Sequence, residues 1–264
     1  MARESRPDKQ AKATPGKTTR ICGYDADRVT IRGQDLVSDL MGKVSFSEMI
    51  LLQLTGTKPS RKQATLLDAV LVTIMEHGLV PSAIVTRLTH YGAPESVQGA
   101  IAAGLLGVGD RFAGTASECA EVLEPIAAAS LLKRSSVARD LVRDYRKRER
   151  PIPGFGHTIH RQADPRSARL LEIVKASGAK GDYVKALAAL ERAVQKIVGK
   201  QLVTNVSAAI AVALGEAGVP PKAVRGIVLT ARCAGLAGHL YEESQNPTGA
   251  AMWDAVTSAV RYEP

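Results

Sequence analysis

Hydrophobic side chains recur at intervals of three and four residues almost everywhere after residue 35 of this chain. Such spacing places them on one face of an α-helix, whereas a half-buried strand would alternate apolar and polar positions. We find no alternating run and no dipeptide of the kind that closes a β-hairpin. The pattern therefore predicts an all-α fold built from many helices.

Two N-terminal signals define the first helices. Ser45 precedes Glu48 by three residues, which is typical of a capping box, and the apolar run that follows stops at Gly56. A second helix is predicted to start at Ser60 and to end just before Gly78.

Further helical patterns continue to the C-terminal region. One starts at Pro94 and is rich in glycine and alanine, so we expect it to pack closely against a neighbour in the core or at a subunit contact. Another opens with a capping box formed by Thr115 and Glu118. The remaining predicted helices cover residues 135–149, 165–176, 182–198, 205–217 and 221–243.

The expected organisation is a basic arm followed by one helical domain. Residues 1–20 carry six lysines and arginines against two acidic residues, so we expect a disordered arm there. Residues 21–264 form the domain, and residues 110–200 are predicted to make a smaller subdomain within it.

Composition narrows the class of protein. A chain of 264 residues with 45% hydrophobic residues can bury a full core. No run approaches the roughly 20 apolar residues of a membrane span, and the first residues lack an apolar secretory segment, so we expect a cytoplasmic protein. Cys22, Cys119 and Cys233 have neither metal-ligand spacing nor an even count, so we expect no disulfide and no metal site.

The net charge of +9 favours an anionic partner. Nucleic acid is one candidate, but aromatic residues are only 4% of the chain and no DNA-binding motif is present. A small molecule with a nucleotide tail, such as coenzyme A, fits as well. A disordered arm and a solvated helix face explain the same charge without any partner.

The motif with the most chemical content is Pro153-Gly154-Phe155-Gly156-His157. Its glycines allow a tight turn and close approach of the backbone to a ligand, which packing alone explains poorly around a histidine. Asp164 and Pro165 then begin a helix as N-cap and first residue, and Arg166 follows in the first turn, where a guanidinium can clamp a carboxylate two-pronged.

Two more charged residues point to a carboxylate ligand. His77 follows a predicted helix and precedes Gly78, where the helix dipole favours an imidazolium, although simple capping is an equal alternative. Arg232 lies in a stretch that is otherwise apolar or small, so an internal carboxylate or a ligand anion must meet it. His239 lies in the same helix and is interpreted as a buried, hydrogen-bonded ring.

Taken in order, these motifs resemble the citrate synthase superfamily, and most closely its short lyase branch, which contains citryl-CoA lyase and the C-terminal module of ATP-citrate lyase. The resemblance covers roughly residues 22–243. It rests on segments in the family order: Arg32–Leu36, Phe46–Pro59, Glu76–Gly78, Gly109–Phe112, Pro153–His157, Asp164–Arg166, Asn205–Val206 and Arg232–His239. Asp110–Gly114 takes the place of the Leu-His-Gly-Gly loop of citrate synthases, and this change resembles the lyases.

The resemblance implies an all-α homodimer or homotetramer that closes over a coenzyme A thioester and a 2-oxo acid, with no permanently bound cofactor. It implies that His77 holds the substrate hydroxyl or carboxylate, that His157 hydrogen-bonds the hydroxyl oxygen that becomes a carbonyl, and that Arg166 and Arg232 clamp carboxylate. By the same resemblance, the coenzyme contacts two loops, through Gly109, Arg111, Pro153, Gly154, Phe155 and Gly156.

Three positions depart from the family pattern. The usual catalytic Asn-Val-Asp reads Asn205-Val206-Ser207, and a serine is no base at neutral pH. Thr158 stands where an arginine often follows the motif histidine, and the further carboxylate-binding arginine expected near Pro247 is missing.

These departures leave several functions open. The expected activity is cleavage of a citryl-CoA-like 3-hydroxy-3-carboxyacyl-CoA into acetyl-CoA and oxaloacetate, with Ser207 or water handling the enolate proton. A citramalyl-CoA-type substrate giving pyruvate, a citrate-synthase-type acyltransferase and a ligand-binding relative without turnover are the alternatives. A nucleic-acid binder is supported by charge alone.

Overall fold

The computed structural model describes residues 17–156, 164–200 and 202–263, without the side chains of Arg111 and Phe112. The described chain is predominantly helical, as the sequence predicts. It divides into two compact units, one ending at Thr57 and one starting at Lys58. Most of the predicted basic arm lies outside the described residues, and the predicted subdomain over residues 110–200 stays a prediction.

The helices follow one another through the described chain. In order they are α1 (Phe46–Thr55), α2 (Arg61–Ile74), α3 (Pro81–Gly92), α4 (Val97–Leu106), α5 (Thr115–Ala128), α6 (Arg134–Lys147), α7 (Pro165–Ala176), α8 (Asp182–Val198), α9 (Val206–Glu216), α10 (Pro221–Gln245) and α11 (Gly249–Ala259). Two π-helical turns cover Leu36–Leu40 and Asp110–Gly114. None of the described helices is long and apolar enough to cross a membrane.

The first unit contains a small antiparallel sheet that the sequence analysis did not predict. Strands β1 (Cys22–Tyr24), β2 (Val29–Ile31) and β3 (Gln34–Asp35) pair in chain order. Strands of two or three residues are too short to show an alternating pattern. The β2–β3 turn uses Arg32 and Gly33, both at positive φ, instead of the usual Asn-Gly or Asp-Gly.

The capping signals of the first two helices are confirmed. Ser45 and Glu48 form the reciprocal capping box at the start of α1, and the helix ends at Gly56 in a left-handed conformation. Ser60 caps α2 in the same way with Gln63. The predicted box at Thr115 is wrong: α5 starts there, but the chain enters it from a π-helical turn and no side chain caps it.

The second unit is built around α9. All of residues 208–214 in this helix are at most 3% exposed. Helices α2, α5, α7, α8 and α10 surround it. Because most of its side chains are Ala or Val, neighbours can approach it from every side. Its N-terminal end therefore has a fixed position, and it carries Asn205 and Ser207.

Helices α3 and α11 were not predicted, and α4 begins at Val97 instead of Pro94. Close packing of the Gly- and Ala-rich helix is confirmed for α4, which lies against α3. A Cβ on Gly104 would lie 1.9 Å from Thr86 Oγ1, so no larger residue fits this contact.

Candidate active site

A cavity of about 460 Å³ in the second unit gathers residues that are far apart in sequence. Four of the predicted site residues line it: His77, Arg166, Ser207 and Arg232. They come from the turn after α2, the first turns of α7 and α9, and the middle of α10. We call this space the site cavity. His157, the predicted catalytic histidine, lies outside the described residues.

The Asp-Pro-Arg motif joins the starts of two helices. Asp164 caps α7 by accepting from the Arg166 backbone N–H, and its Oδ2 also accepts from the Val206 N–H at 3.2 Å. Burial alone would raise the pKa of Asp164, but the Arg166 guanidinium and these hydrogen bonds hold it below its usual value. The carboxylate therefore stays ionised where α7 meets α9.

The guanidinium of Arg166 is engaged by the same aspartate. Its Nε and Nη2 donate to the two Asp164 oxygens at 3.2 and 3.1 Å, which is a two-pronged pair. The sequence analysis expected this fork to clamp a ligand carboxylate. The internal carboxylate of Asp164 occupies this fork instead. Arg166 can therefore bind a ligand in the site cavity only through N–H groups that do not face Asp164.

The glycine loop before His157 is bonded to the segment that leads into α9. Asn205 donates through its backbone N–H to the Gly154 carbonyl and through Nδ2 to the Gly156 carbonyl, each at 3.0 Å. The Gly156 N–H donates to the Val203 carbonyl at 2.7 Å. The two motifs that the sequence analysis treated separately therefore form one structural unit.

Gly154 is required for a reason other than the expected one. Its φ is +86°, and a Cβ there would lie 2.7 Å from Cys119 Sγ and 2.9 Å from the Ala208 Cβ. The close approach is thus to the protein and not to a ligand. Burial raises the pKa of the Cys119 thiol to about 12, so this cysteine behaves as a small apolar residue.

Ser207 lies in the first turn of α9, behind the Asn205 cap. Asn205 Oδ1 accepts from the Ser207 backbone N–H at 3.0 Å. Ser207 therefore lines the site cavity at a position where Asn205 holds its backbone. Among the described residues that line this cavity, the one carboxylate is Glu76.

Glu76 is the site residue that the sequence analysis missed. Its Oε1 accepts from the His77 and Gly78 backbone N–H groups at 2.7 and 2.8 Å, so it caps the turn that carries His77. Burial would raise the pKa of Glu76, but the His77 N–H, His239 and Arg232 together lower it. The sequence did contain a signal for such a residue, because Arg232 lies in an apolar helix and needs a carboxylate nearby.

Arg232 is met by that internal carboxylate, but only loosely. Its side chain is 13% exposed, and Nη1 lies 3.6 Å from Glu76 Oε1. Burial lowers its pKa, and the charge of Glu76 partly opposes this shift. Nη1 makes no hydrogen bond to any described residue, so Arg232 retains donor capacity beside the site cavity.

The predicted buried ring of His239 is confirmed. Its side chain is 10% exposed, and Nε2 lies 3.0 Å from Glu76 Oε2, a close polar contact that falls short of hydrogen-bond alignment. Its Nδ1 lies 3.0 Å from Arg87 Nε and 2.9 Å from Arg87 Nη2. His239 is not among the residues that line the site cavity.

The two predicted coenzyme loops face different spaces. Gly107 and Val108 line the site cavity, but Gly109 does not, and the side chain of Arg111 is outside the described part of the chain. Phe155 lines a second cavity of about 650 Å³ with residues of α7 and α8. Pro153 and Gly154 are buried, which leaves Phe155 and Gly156 as the accessible part of that loop.

The chemical character of the site cavity follows from these contacts. It offers two cationic side chains, each facing an internal carboxylate, together with an imidazole, a serine hydroxyl and the N-terminal end of a buried helix. This set can orient an anionic ligand that carries a hydroxyl or carbonyl oxygen.

Comparisons with known proteins bear on the family to which the chain belongs. Residues 7–251 match the family model described as citrate synthase, C-terminal domain. The citrate synthase of Heyndrickxia coagulans is 26% identical over 207 residues, which is 77% of this chain and 53% of that protein. The chain thus spans about half the length of the curated relatives it matches.

Two solved structures share the fold at nearly full coverage of this chain. The citryl-CoA lyase of Hydrogenobacter thermophilus superposes with a TM-score of 0.82 at 29% identity, covering 94% of both chains. The ATP citrate lyase of Methanothrix soehngenii, in complex with citrate and coenzyme A, has a TM-score of 0.74 at 18% identity, covering 96% of this chain and 42% of that one.

Proposed function

Because the chain belongs to the citrate synthase family, we propose that it is a carbon–carbon lyase that cleaves a citryl-CoA-like thioester into acetyl-CoA and oxaloacetate. The observation that carries the proposal is the likeness to a citryl-CoA lyase over 94% of both chains. The grouping of His77, Arg166, Ser207 and Arg232 around one cavity supports it.

The reaction breaks the bond between the carbon that bears the hydroxyl and the carbon next to the thioester carbonyl. A base removes the hydroxyl proton, and the O–H electrons become the second bond of the 2-oxo acid carbonyl. The electrons of the broken bond pass to the thioester as an acetyl-CoA enolate, which takes up one proton. The coenzyme enters and leaves as part of the substrate and product.

Each step has a candidate group. His157 is the base for the hydroxyl proton, by resemblance to the family. Arg232 and the remaining edge of Arg166 bind carboxylate, and His77 orients the developing carbonyl. With Ser207 in place of the usual carboxylate, we propose that a water held by the Ser207 hydroxyl delivers the enolate proton.

One observation favours a second candidate, a citramalyl-CoA-type lyase that releases pyruvate. Asp164 holds the fork of Arg166, and Glu76 faces Arg232. Fewer unpaired cations are then available for substrate carboxylates than in a site with free arginines. A substrate with one carboxylate fewer fits such a site.

A coupled cleavage assay tests both candidates. Citryl-CoA and citramalyl-CoA are offered separately, and oxaloacetate and pyruvate are measured by separate dehydrogenases. Release of oxaloacetate supports the first proposal, and release of pyruvate alone supports the second. No turnover of either, with acetyl-CoA still bound, would identify a binding relative, and Ser207→Asp would then test whether the missing carboxylate is the cause.

Arg232→Ala is expected to weaken oxaloacetate binding about tenfold or more, because one charge-assisted hydrogen bond to a carboxylate is lost. Acetyl-CoA affinity should change less than twofold. Arg169→Ala is the control, because Arg169 is an exposed arginine of α7 that pairs with the exposed Glu172 and does not line the site cavity. Equal losses for both ligands, measured by calorimetry, would contradict a carboxylate-binding role.

We also propose that the protein forms a homodimer or homotetramer through exposed apolar residues of α4 and α11, two helices that both pack against α3. Leu106 is 87% exposed on α4, and Trp253, Val256 and Val260 are 56–70% exposed at the C-terminal end. Leu106→Glu should shift the sedimentation coefficient towards the monomer. Leu132→Glu, at a 96% exposed position outside these helices, should not; a monomeric unmodified protein would end the proposal.

A further inference from the structure

One face of α10 is in direct contact with the turn that carries His77. Arg232, Gly235 and His239 lie three and four residues apart, so they share this face. A Cβ on Gly235 would lie 2.1 Å from the Met75 carbonyl oxygen and 3.1 Å from Glu76 Oε2. The helix therefore touches the backbone of the turn, and Glu76 lies close to both Arg232 and His239 on that face.

Arg87 determines which ring nitrogen of His239 carries the proton. A guanidinium has only donors, and both Arg87 Nε and Nη2 point at His239 Nδ1. Nδ1 must then be the acceptor, so the ring proton is on Nε2, the nitrogen 3.0 Å from Glu76 Oε2. A doubly protonated ring would lose the bond to Arg87.

Arg87 is itself held rigidly. Its side chain and that of Glu243 are each 3% exposed, and Nη1 donates to Glu243 Oε2 at 2.7 Å. Nη2 also pairs with Glu242, and Nη1 donates to Thr248 Oγ1 at 3.2 Å. The charged groups around His239 are thus Arg87, Glu76, Arg232, Glu242 and Glu243, and together they keep the ring in one orientation.

We infer that His239 is a positioning residue: it holds Glu76 in the conformation that orients the His77 turn and that keeps Arg232 available to a 2-oxo acid. This inference rests on the proposed function for the identity of the ligand. Without the Nε2 donor, Glu76 Oε2 is free to move to Arg232 and form a direct pair. That pair would withdraw Arg232 from the substrate and release the His77 and Gly78 N–H groups.

Two variants separate positioning from packing. His239→Gln retains a side-chain N–H at about the place of Nε2, whereas His239→Leu keeps a similar volume and has no donor. His90→Gln is the control, because His90 is a partly buried histidine of α3 outside this network. All variants are first compared by thermal unfolding, so that a general loss of stability is visible.

The first measurement needs no activity. Histidine ring signals of ¹⁵N-labelled protein report the tautomer of His239 and the environment of His77. We expect an Nε2–H tautomer for His239, and displaced His77 signals in His239→Leu that His239→Gln largely restores. A proton on Nδ1 of neutral His239, or unchanged His77 signals in His239→Leu, would overturn the inference.

The second measurement is binding, with oxaloacetate and acetyl-CoA as separate probes. His239→Leu should weaken oxaloacetate about tenfold and acetyl-CoA less than twofold, with recovery in His239→Gln. Equal weakening of both ligands would indicate a packing role and overturn positioning. If the unmodified protein binds no oxaloacetate and cleaves no thioester, the proposed function fails, and the His77 signals alone decide the role of His239.

Discussion

Alanine at position 157 is expected to lower the turnover number for thioester cleavage by about two powers of ten or more, the usual scale for losing a general acid–base group. The effect should appear in kcat, because the preceding loop is held without the histidine, through the bonds from Asn205 to Gly154 and Gly156. Acetyl-CoA affinity and the unfolding temperature should change little.

His160→Ala is the matched control for this prediction, since it removes an imidazole from the same segment three residues later. Both variants are measured with the coupled cleavage assay and by acetyl-CoA titration. Near-normal rates for His157→Ala, or equal losses for the two alanine variants, would remove His157 from the role that the family resemblance assigns to it.

The second large effect concerns stability. Arg87→Leu should lower the free energy of unfolding by about 3–5 kcal/mol, because it leaves Glu243 buried without its cation. Glu243→Gln should cost less at neutral pH, since a neutral amide can still bond to Arg87 and Thr248. Glu242→Gln is the control: Glu242 pairs with the same arginine but is 62% exposed, so its loss should cost at most about 1 kcal/mol.

The pKa of Glu243 predicts how the stability of the protein depends on pH. Burial would raise the pKa of Glu243, but bonds from the Thr248 hydroxyl, from Arg87 and from the Thr248 and Gly249 N–H groups lower it to about 2. Because the folded pKa is below the unfolded one, the stabilisation is present above about pH 5 and is lost as pH falls towards 2. It amounts to roughly 3 kcal/mol.

Urea unfolding between pH 7 and pH 3 measures this stabilisation. The difference in stability between the unmodified protein and Glu243→Gln should shrink as the pH falls through this range, because protonation of Glu243 removes the charge that the variant already lacks. A difference that is independent of pH, or one that Glu242→Gln reproduces in full, would show that the Glu243 carboxylate is not the group that titrates.

The sequence predicted helices best where the ends carry polar, proline or glycine signals, such as Asp164 and Pro165 before α7 or Gly181 and Gly199 around α8. Residues 165–176 and 182–198 were predicted with the observed bounds. Helix α3 was missed because its N-cap is Val80, which makes no capping bond, and only Pro81 marks its start. Helix α11 was missed because its apolar residues, such as Trp253, are exposed and show no core-facing pattern.

Four of the residues that line the site cavity could be predicted from the sequence, but their partners could not. His77, Arg166, Ser207 and Arg232 were identified from motifs, and all four line one cavity. Whether an arginine faces a ligand or a neighbouring carboxylate depends on geometry, and Asp164 turned out to hold Arg166. Glu76 was recognised only as part of a motif and not as a site residue. Its role depends on contact with His239, which is 163 residues away in sequence.

The bonds of Asn205 have a consequence for how this site can change its chemistry. The Asn205 side chain caps α9 and also donates to the glycine loop. Residue 207 takes part in these hydrogen bonds only through its backbone N–H. Exchanging the side chain at 207 therefore removes none of these bonds. A proton-transfer group can be gained or lost there in a single mutational step while the fold stays the same, so position 207 is a point at which descendants of one scaffold can diverge in reaction.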